Sequence, residues 1–298
     1  MTTALIIGAS GMVGSRLVRE LDADGGGINV RLASRRRETV QEWRSAGRDA
    51  VVLDLDRPAT FAEALAGVDR VFLLTGYTAA MLYQSKTLVD AAQDAGVNHF
   101  VHLGVFTSGR DLVPHYTWHE LIETYIEASG MAWTHIQPNV ITDSVLITEP
   151  SIAQTKTFSL PWQNAARGWV SAGDIAAVAA AVLREGPDVH AGKSYGLSTE
   201  VLTGTQVAEI LSDALGTTIT CTAEDLEGLE AHVQTLTDAG VRLYMESAVQ
   251  TMQQSINGNM ASTAIVHDDV LTVLGRPGTT MARWADQNLW TRHLKARP

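Results

Sequence analysis

A single cysteine, Cys221, stands among the 298 residues, so no disulfide can form within the chain and no cysteine-rich metal site can be built. Basic charge is scarce as well. Against 33 Asp and Glu there are 22 Lys and Arg, a formal net charge of −11, and no basic stripe exists to release counterions from nucleic-acid phosphates. Nor does any apolar run reach the length that crosses a bilayer, and the N-terminus enters an apolar strand-like segment directly rather than a signal peptide. These absences predict a cytoplasmic protein that engages neither nucleic acid nor membrane. The length allows one or two domains around a large core.

What the chain does carry, near its start, is Ala4-Leu5-Ile6-Ile7-Gly8-Ala9-Ser10-Gly11-Met12-Val13-Gly14, followed by the amphipathic stretch Ser15 to Leu21. A continuous apolar run reads as a parallel strand covered on both faces. The three glycines then do work that a Cβ would block. Gly8 permits the tight turn, Gly11 lets backbone N–H groups approach a pyrophosphate, and Gly14 lets the helix pack close to the strand. The helix N-terminus adds partial positive charge for the phosphates. Gly25-Gly26-Gly27 marks a turn, and Ile28 to Ala33 a second strand. An NAD-preferring site would place an acid at the tip of that strand. Ser34, Arg35, Arg36 and Arg37 stand there instead, and a hydroxyl with guanidinium groups suits a ribose 2′-phosphate.

Strand-like and helical patterns alternate up to about residue 140, which predicts an α/β fold, a doubly wound parallel sheet of the Rossmann type. Asp49–Leu55, Val68–Thr75, His99–Val105 and Trp133–Pro138 read as the third to sixth strands, with helices over Phe61–Gly67 and Leu82–Gly96. Ligands of such sheets sit beyond the carboxyl ends of the strands. The NADP(H) contacts expected are therefore Gly8, Ser10, Gly11, Met12, Val13 and Gly14 from the turn, Ser34 and Arg35 from the second strand tip, and Asp54, Leu55, Thr75, Gly76, Gly104, Val105, Pro138 and Asn139.

Gly173-Asp174-Ile175 opens an alanine-rich helix to Leu183, with Asp174 read as a helix N-terminal residue. Helices are also expected over Thr203–Leu215, with Gly204 a blemish and Gly216 the stop, over Ala223–Ala239 and Leu243–Ile256, and from Leu271 onward. Residues 1–140, with 169–185 packing back on the sheet, are expected to form the nucleotide domain. Residues 141–168 and 186–298 are expected to form a smaller, mainly helical lobe that walls a substrate pocket. No metal site is read from the chain.

Several segments together resemble the NmrA-like family of atypical short-chain dehydrogenases. They are the glycine turn, the Arg at the second strand tip, the Asp54-Leu55 pair, His119 to Gly130, Trp133 to Asn139, Val170 to Ala176 and Ser194 to Ser198. The resemblance spans nearly the whole chain. It implies an NADPH-dependent quinone- or dye-type reductase, an isoflavone-reductase-like enzyme, or a redox-sensing regulator that binds the nucleotide without turnover. The Tyr-x-x-x-Lys of ordinary short-chain dehydrogenases is missing, since Tyr116 is followed four residues later by Glu120, and Leu103-Gly104-Val105 supplies no serine. The quinone- and dye-reductase branch implies His119, with Glu123 one turn on, as the catalytic group, and Tyr116 as a second candidate. A carboxylate there would hold the imidazole in one tautomer or raise its pKa. Tyr77, Tyr83, Phe106, Trp118 and Trp162 fall in loops or at helix starts, where aromatic walls would suit a planar acceptor such as a quinone, aromatic ketone or dye. The reading is of a reductase of small organic molecules, monomeric or homodimeric, with a nucleotide-sensing regulator as the alternative.

Overall fold

Thr3–Ile6 form strand β1, and its neighbours follow the alternation of the sequence: α1 (Gly14–Ala23), β2 (Asn29–Ser34), α2 (Arg37–Ser45), β3 (Ala50–Val52), α3 (Phe61–Leu65), β4 (Arg70–Leu74), α4 (Met81–Asp94), β5 (His99–Leu103), α5 (Pro114–Ala128) and β6 (Ala132–Pro138). The computed structural model describes residues 1–289 apart from 24–26, 109–112, 149–151, 153 and 224. Gly25 and Gly26 of the expected turn therefore lie outside the described residues, as does the end of the chain after residue 289.

Two compact units share the chain. The first holds residues 1–105, 114–137 and 175–195, and the second holds 106–113, 138–174 and 196 to the end. In the first unit the strands lie in the order β6-β5-β4-β1-β2-β3, all parallel. The order reverses between β1 and β4, which puts a ligand crevice at their carboxyl ends. Leu5, Val71, Leu73 and Phe100 from the strands pack with Leu88 of α4 and Ile122 and Ile126 of α5. Each such large side chain, once buried, contributes about 1.5–3 kcal/mol. Helix α6 (Ala172–Glu185) supplies Ala176, Ala179 and Ala180, all fully buried. The Arg70 guanidinium of β4 donates to the backbone carbonyls of Leu183 and Arg184 near the end of α6.

The chain then passes through α7 (Pro187–His190) and β10 (Lys193–Ser198), which begins in the first unit and ends in the second, and the second unit gathers β7 (Val140–Ile141), β8 (Thr157–Leu160), β9 (Arg167–Val170), β11 (Glu200–Leu202), α8 (Gly204–Leu215), β12 (Thr220–Ala223), α9 (Leu226–Thr235), α10 (Ala239–Ile256), β13 (His267–Asp268), α11 (Asp269–Leu274) and α12 (Met281–Asn288). It is mainly helical, and it also holds short strands that the alternation argument did not place. Strands β11-β9-β7 form one small sheet and β12-β8 another. Runs of two to four residues are too short to display a period of two. Phe158, Trp169, Val207, Leu211 and Trp284 make this unit's core.

Two local readings resolve in this unit. Gly204 is no blemish, because a Cβ there would lie 2.7 Å from Cys221 Sγ. Thr203 caps α8, its hydroxyl accepting from the Gln206 N–H while Gln206 Oε1 accepts from the Thr203 N–H. Asp174 sits in the first turn of α6, accepting from the Ser171 hydroxyl at 2.8 Å and from Arg276 Nη1 at 2.8 Å. No helix among the described residues is long and apolar enough to cross a membrane.

Candidate active site

The turn after β1 shows why glycine is required at two of its positions. Gly8 adopts φ +81°, where L side chains are strained. A Cβ at Gly14 would lie 2.1 Å from the Gly8 carbonyl oxygen, so the start of α1 is drawn against the loop. Gly11 closes the turn by donating its N–H to the same carbonyl at 2.9 Å. Beside this turn lies a cavity of about 340 Å³. Gly8, Ser10, Ser34, Arg35, Asp54, Leu55 and Gly76 line it, joined by Arg36, Asp56, Thr78 and Gln84. Gln84 holds one wall together by donating to Asp56 Oδ1 at 2.6 Å.

The remaining expected cofactor residues stand elsewhere. Met12 is exposed and Val13 buried in the turn itself. Thr75 follows β4 directly, and Gly104 and Val105 follow β5. Pro138 and Asn139 belong to the second unit, where the Asn139 amide donates to the Thr263 carbonyl at 2.6 Å.

At the tip of β2 the Arg36 N–H donates to Ser34 Oγ at 3.2 Å. The guanidinium groups of Arg35 and Arg36 are exposed and make no ion pair or hydrogen bond among the described residues. No carboxylate opposes them at the position where an NAD site would carry one.

A second polar region lies between α5 and strands β5 and β6. His119 on α5 is buried, with Nδ1 3.3 Å from His102 Nε2 on β5 and Nε2 3.3 Å from the Tyr77 hydroxyl. Burial, and then the neighbouring His115, lowers its pKa to about 3, so the ring is neutral near pH 7. Of the two states expected for this histidine, a fixed tautomer and a raised pKa, the surroundings oppose the second. Glu123 does not pair with His119. Its Oε1 lies 3.7 Å from His102 Nδ1, and its Oε2 accepts from Gln137 Nε2 at 2.8 Å. Burial pushes the Glu123 carboxyl up to about 8, against the opposing effect of the Gln137 bond. Burial likewise lowers His135 of β6 to about 4 and His102 well below the usual histidine range.

Tyr116 is buried with its ring edge-on to His115, and the hydroxyl that reaches His119 is that of Tyr77. The other aromatic residues disperse. Tyr83 is exposed on α4, Trp118 packs on the sheet core, and in the second unit Phe106 meets His267 while Trp162 meets Trp169. His102 and His135 were not singled out from the sequence. The available signal was a histidine interrupting an otherwise apolar buried strand, and only the strand register shows that the two are partners.

A doubly wound sheet with a glycine turn and a basic strand tip at its reversal point defines a dinucleotide-binding Rossmann protein. The chain belongs to the NmrA-like family, whose sequence profile it matches over residues 1–270. The resemblance read from the sequence is thereby borne out. It is 29% identical over 283 residues to the NAD(P)H azoreductase of Xenophilus azovorans, covering 94% of this chain and 96% of that protein. Among solved structures it is similar to Citrobacter sp. triphenylmethane reductase complexed with NADP(H), with a TM-score of 0.80, 20% identity and coverage of 96% and 99% of the two chains. It is also similar to an Escherichia coli NADPH-dependent quinone oxidoreductase complexed with NADPH, with a TM-score of 0.80, 20% identity and coverage of 97% and 100%. At these identities the structures speak for the fold.

Proposed function

We propose that the protein is an NADPH-dependent oxidoreductase that transfers hydride to a small unsaturated or carbonyl-containing organic acceptor of the quinone, aromatic ketone or dye type. The observation that carries this reading is the cavity beside the glycine turn, bordered at one end by the unopposed guanidinium groups of Arg35 and Arg36. The residues present fit the cofactor. The loop has the close approach that glycine alone permits, and the strand tip offers charge-assisted donors for a 2′-phosphate. Gly8, Ser10 and the start of α1 would hold the pyrophosphate, Ser34 and Arg35 the 2′-phosphate, and Asp54, Leu55 and Gly76 the adenosine end. When bound, the dinucleotide supplies hydride from C4 of its nicotinamide.

The chain's own contribution to the chemistry centres on His119. Held neutral by burial, the ring donates a hydrogen bond from one nitrogen while the other is held by His102, and so stabilises negative charge that develops on the acceptor. That donating nitrogen, Nε2, lies 3.3 Å from the hydroxyl of Tyr77, itself about one-third exposed, so the acceptor oxygen would take the place of this hydroxyl and the completing proton would come from solvent. The named relatives, an azoreductase and a quinone oxidoreductase, support an acceptor of this planar, apolar class. The test is NADPH consumption by the purified protein across a panel of quinones, dyes and aromatic ketones. Acceptor-dependent turnover is expected, whereas tight NADPH binding with no turnover on any of them assigns the chain to the nucleotide-sensing class.

A further inference from the structure

We propose that His102, Glu123 and His135 form a binding site for one divalent transition-metal ion of the zinc type. His102 and His135 face each other as register partners on adjacent parallel strands, and both are fully buried. Glu123 comes down on them from α5 and is also buried. One ligand-capable atom from each of the three lies within 4.8 Å of the other two. The edge between His102 Nδ1 and Glu123 Oε1 is 3.7 Å. Zinc bonds of about 2.0–2.1 Å in a tetrahedron place neighbouring ligand atoms roughly 3.4 Å apart, so small side-chain rotations close the site.

The same atoms are ones that make no hydrogen bond. His102 Nδ1, Glu123 Oε1 and both ring nitrogens of His135 are buried without a hydrogen bond. Leaving four such atoms unsatisfied in one place is costly, and a single cation satisfies a donor atom from each residue at once. Space has been kept for this. A Cβ at Gly104 would lie 2.6 Å from Glu123 Oε1 and 3.2 Å from His102 Cε1. The surroundings also match what metal ligands require, since ligating histidines and carboxylates are held by outer partners. His102 Nε2 faces His119, and Glu123 Oε2 accepts from Gln137. Glu127 Oε1, 3.5 Å from His135 Nε2, brings a half-exposed carboxylate to the edge of the cluster. Two imidazole nitrogens with one carboxylate form a three-ligand set that suits zinc and leaves a fourth position open, unlike the all-oxygen cages of magnesium or calcium.

Coordination through His102 Nδ1 places that ring's proton on Nε2, directed at His119 Nδ1, and so leaves His119 with its own proton on Nε2. This consequence rests on the catalytic reading of His119, whereas the metal site does not.

The test uses the full-length protein, stripped by dialysis against a chelator and titrated with zinc chloride, with bound metal counted by elemental analysis and thermal unfolding followed alongside. One zinc per chain is expected, with a rise in Tm on binding. Glu123→Gln and His135→Gln should each weaken zinc affinity by more than about 100-fold, and Gly104→Ala, which fills the space beside both ligands, should do the same. Should a ligand variant not fold, cobalt loaded into the parent protein decides. The strong visible absorption of a four-coordinate ion supports the site, and the weak absorption of a six-coordinate ion overturns it. The proposal also fails if the stripped protein takes up no zinc at micromolar concentration. It fails equally if the folded variants bind zinc like the parent, which would place the ion on surface histidines.

Discussion

The nucleotide end of the sheet and the face covered by α5 rest on the same parallel strands and treat polar groups in opposite ways. Around Gly8 and Arg35, recognition is assigned to backbone and to exposed guanidinium groups that stand in solvent with no partner among the described residues. Around His119, polar side chains are withdrawn from water, and in the metal-free protein burial drives the histidines and Glu123 toward their neutral forms. A site that must attract a multiply charged cofactor keeps its charges hydrated until the ligand arrives. On the proposed reading, the second region acts on an apolar acceptor, and a neutral donor already withdrawn from water polarises without having to be desolvated.

The contrast is most severely tested at Gly14. Since a Cβ would meet a backbone oxygen at 2.1 Å, Gly14→Ala should destabilise the fold by about 3 kcal/mol and remove detectable NADPH binding. Gly11→Val is the sharper companion. Its Cβ would have the Gly8 oxygen at 3.2 Å as its neighbour, so this variant should stay folded and still lose the nucleotide in a calorimetric titration. A folded Gly11→Val that binds NADPH normally removes the cradle from the argument.

On the buried side, His119→Ala should lower kcat by about 100-fold with NADPH affinity close to the parent value. His119→Gln should recover part of the loss, because its amide donates a hydrogen bond. Equal rates for all three proteins would make His119 structural. Smaller again is Arg35→Ala, which should weaken NADPH by about 1.5–3 kcal/mol while leaving NADH unchanged. The ratio of the two affinities is the quantity to measure, and a parent protein that prefers NADH contradicts the 2′-phosphate assignment.

An effect on stability rather than on binding or rate concerns acid. His99, buried on β5 with Nε2 2.8 Å from Thr134 Oγ1, has its pKa lowered to about 4, chiefly by burial. Below its ordinary value the unfolded chain takes up a proton that the folded chain refuses, so stability falls with pH. This one group contributes a slope of about 1.4 kcal/mol per pH unit between roughly 6.5 and 4. Urea midpoints at pH 7, 6 and 5 measure the summed slope, and His99→Gln should remove this one group's share while the other buried histidines keep theirs.

How far each region could be read beforehand follows from the same contrast. The nucleotide turn is contiguous in sequence, and its spacing is dictated by backbone geometry, so Gly8, Gly14, Ser34 and Arg35 were visible at once. The parallel sheet was equally visible, because strands buried on both faces are continuous apolar runs, as Ala4–Ile7 and Val71–Leu74 are. The histidine cluster was visible only in part. His119 and Glu123 appear as a helical pair, yet the sequence joins them to each other, while the fold inserts His102 between them. That insertion depends on the pairing of β5 with β6, in which His102 meets His135 across 33 residues of chain. The short strands of the second unit escaped for a simpler reason, since β7 and β13 contain two residues each.

Arg35, Arg36 and Arg37 form a small positive island on a chain of net charge −11. On the proposed reading, the molecule as a whole would repel an anionic dinucleotide while this patch attracts it beside the cavity that Arg35 and Arg36 line, so that encounter is guided as well as held. The association rate for NADPH should fall as ionic strength shortens the reach of the island, which acts within about 10 Å at 0.1 M salt. The dissociation rate, set by contacts already made in the cradle, should change far less.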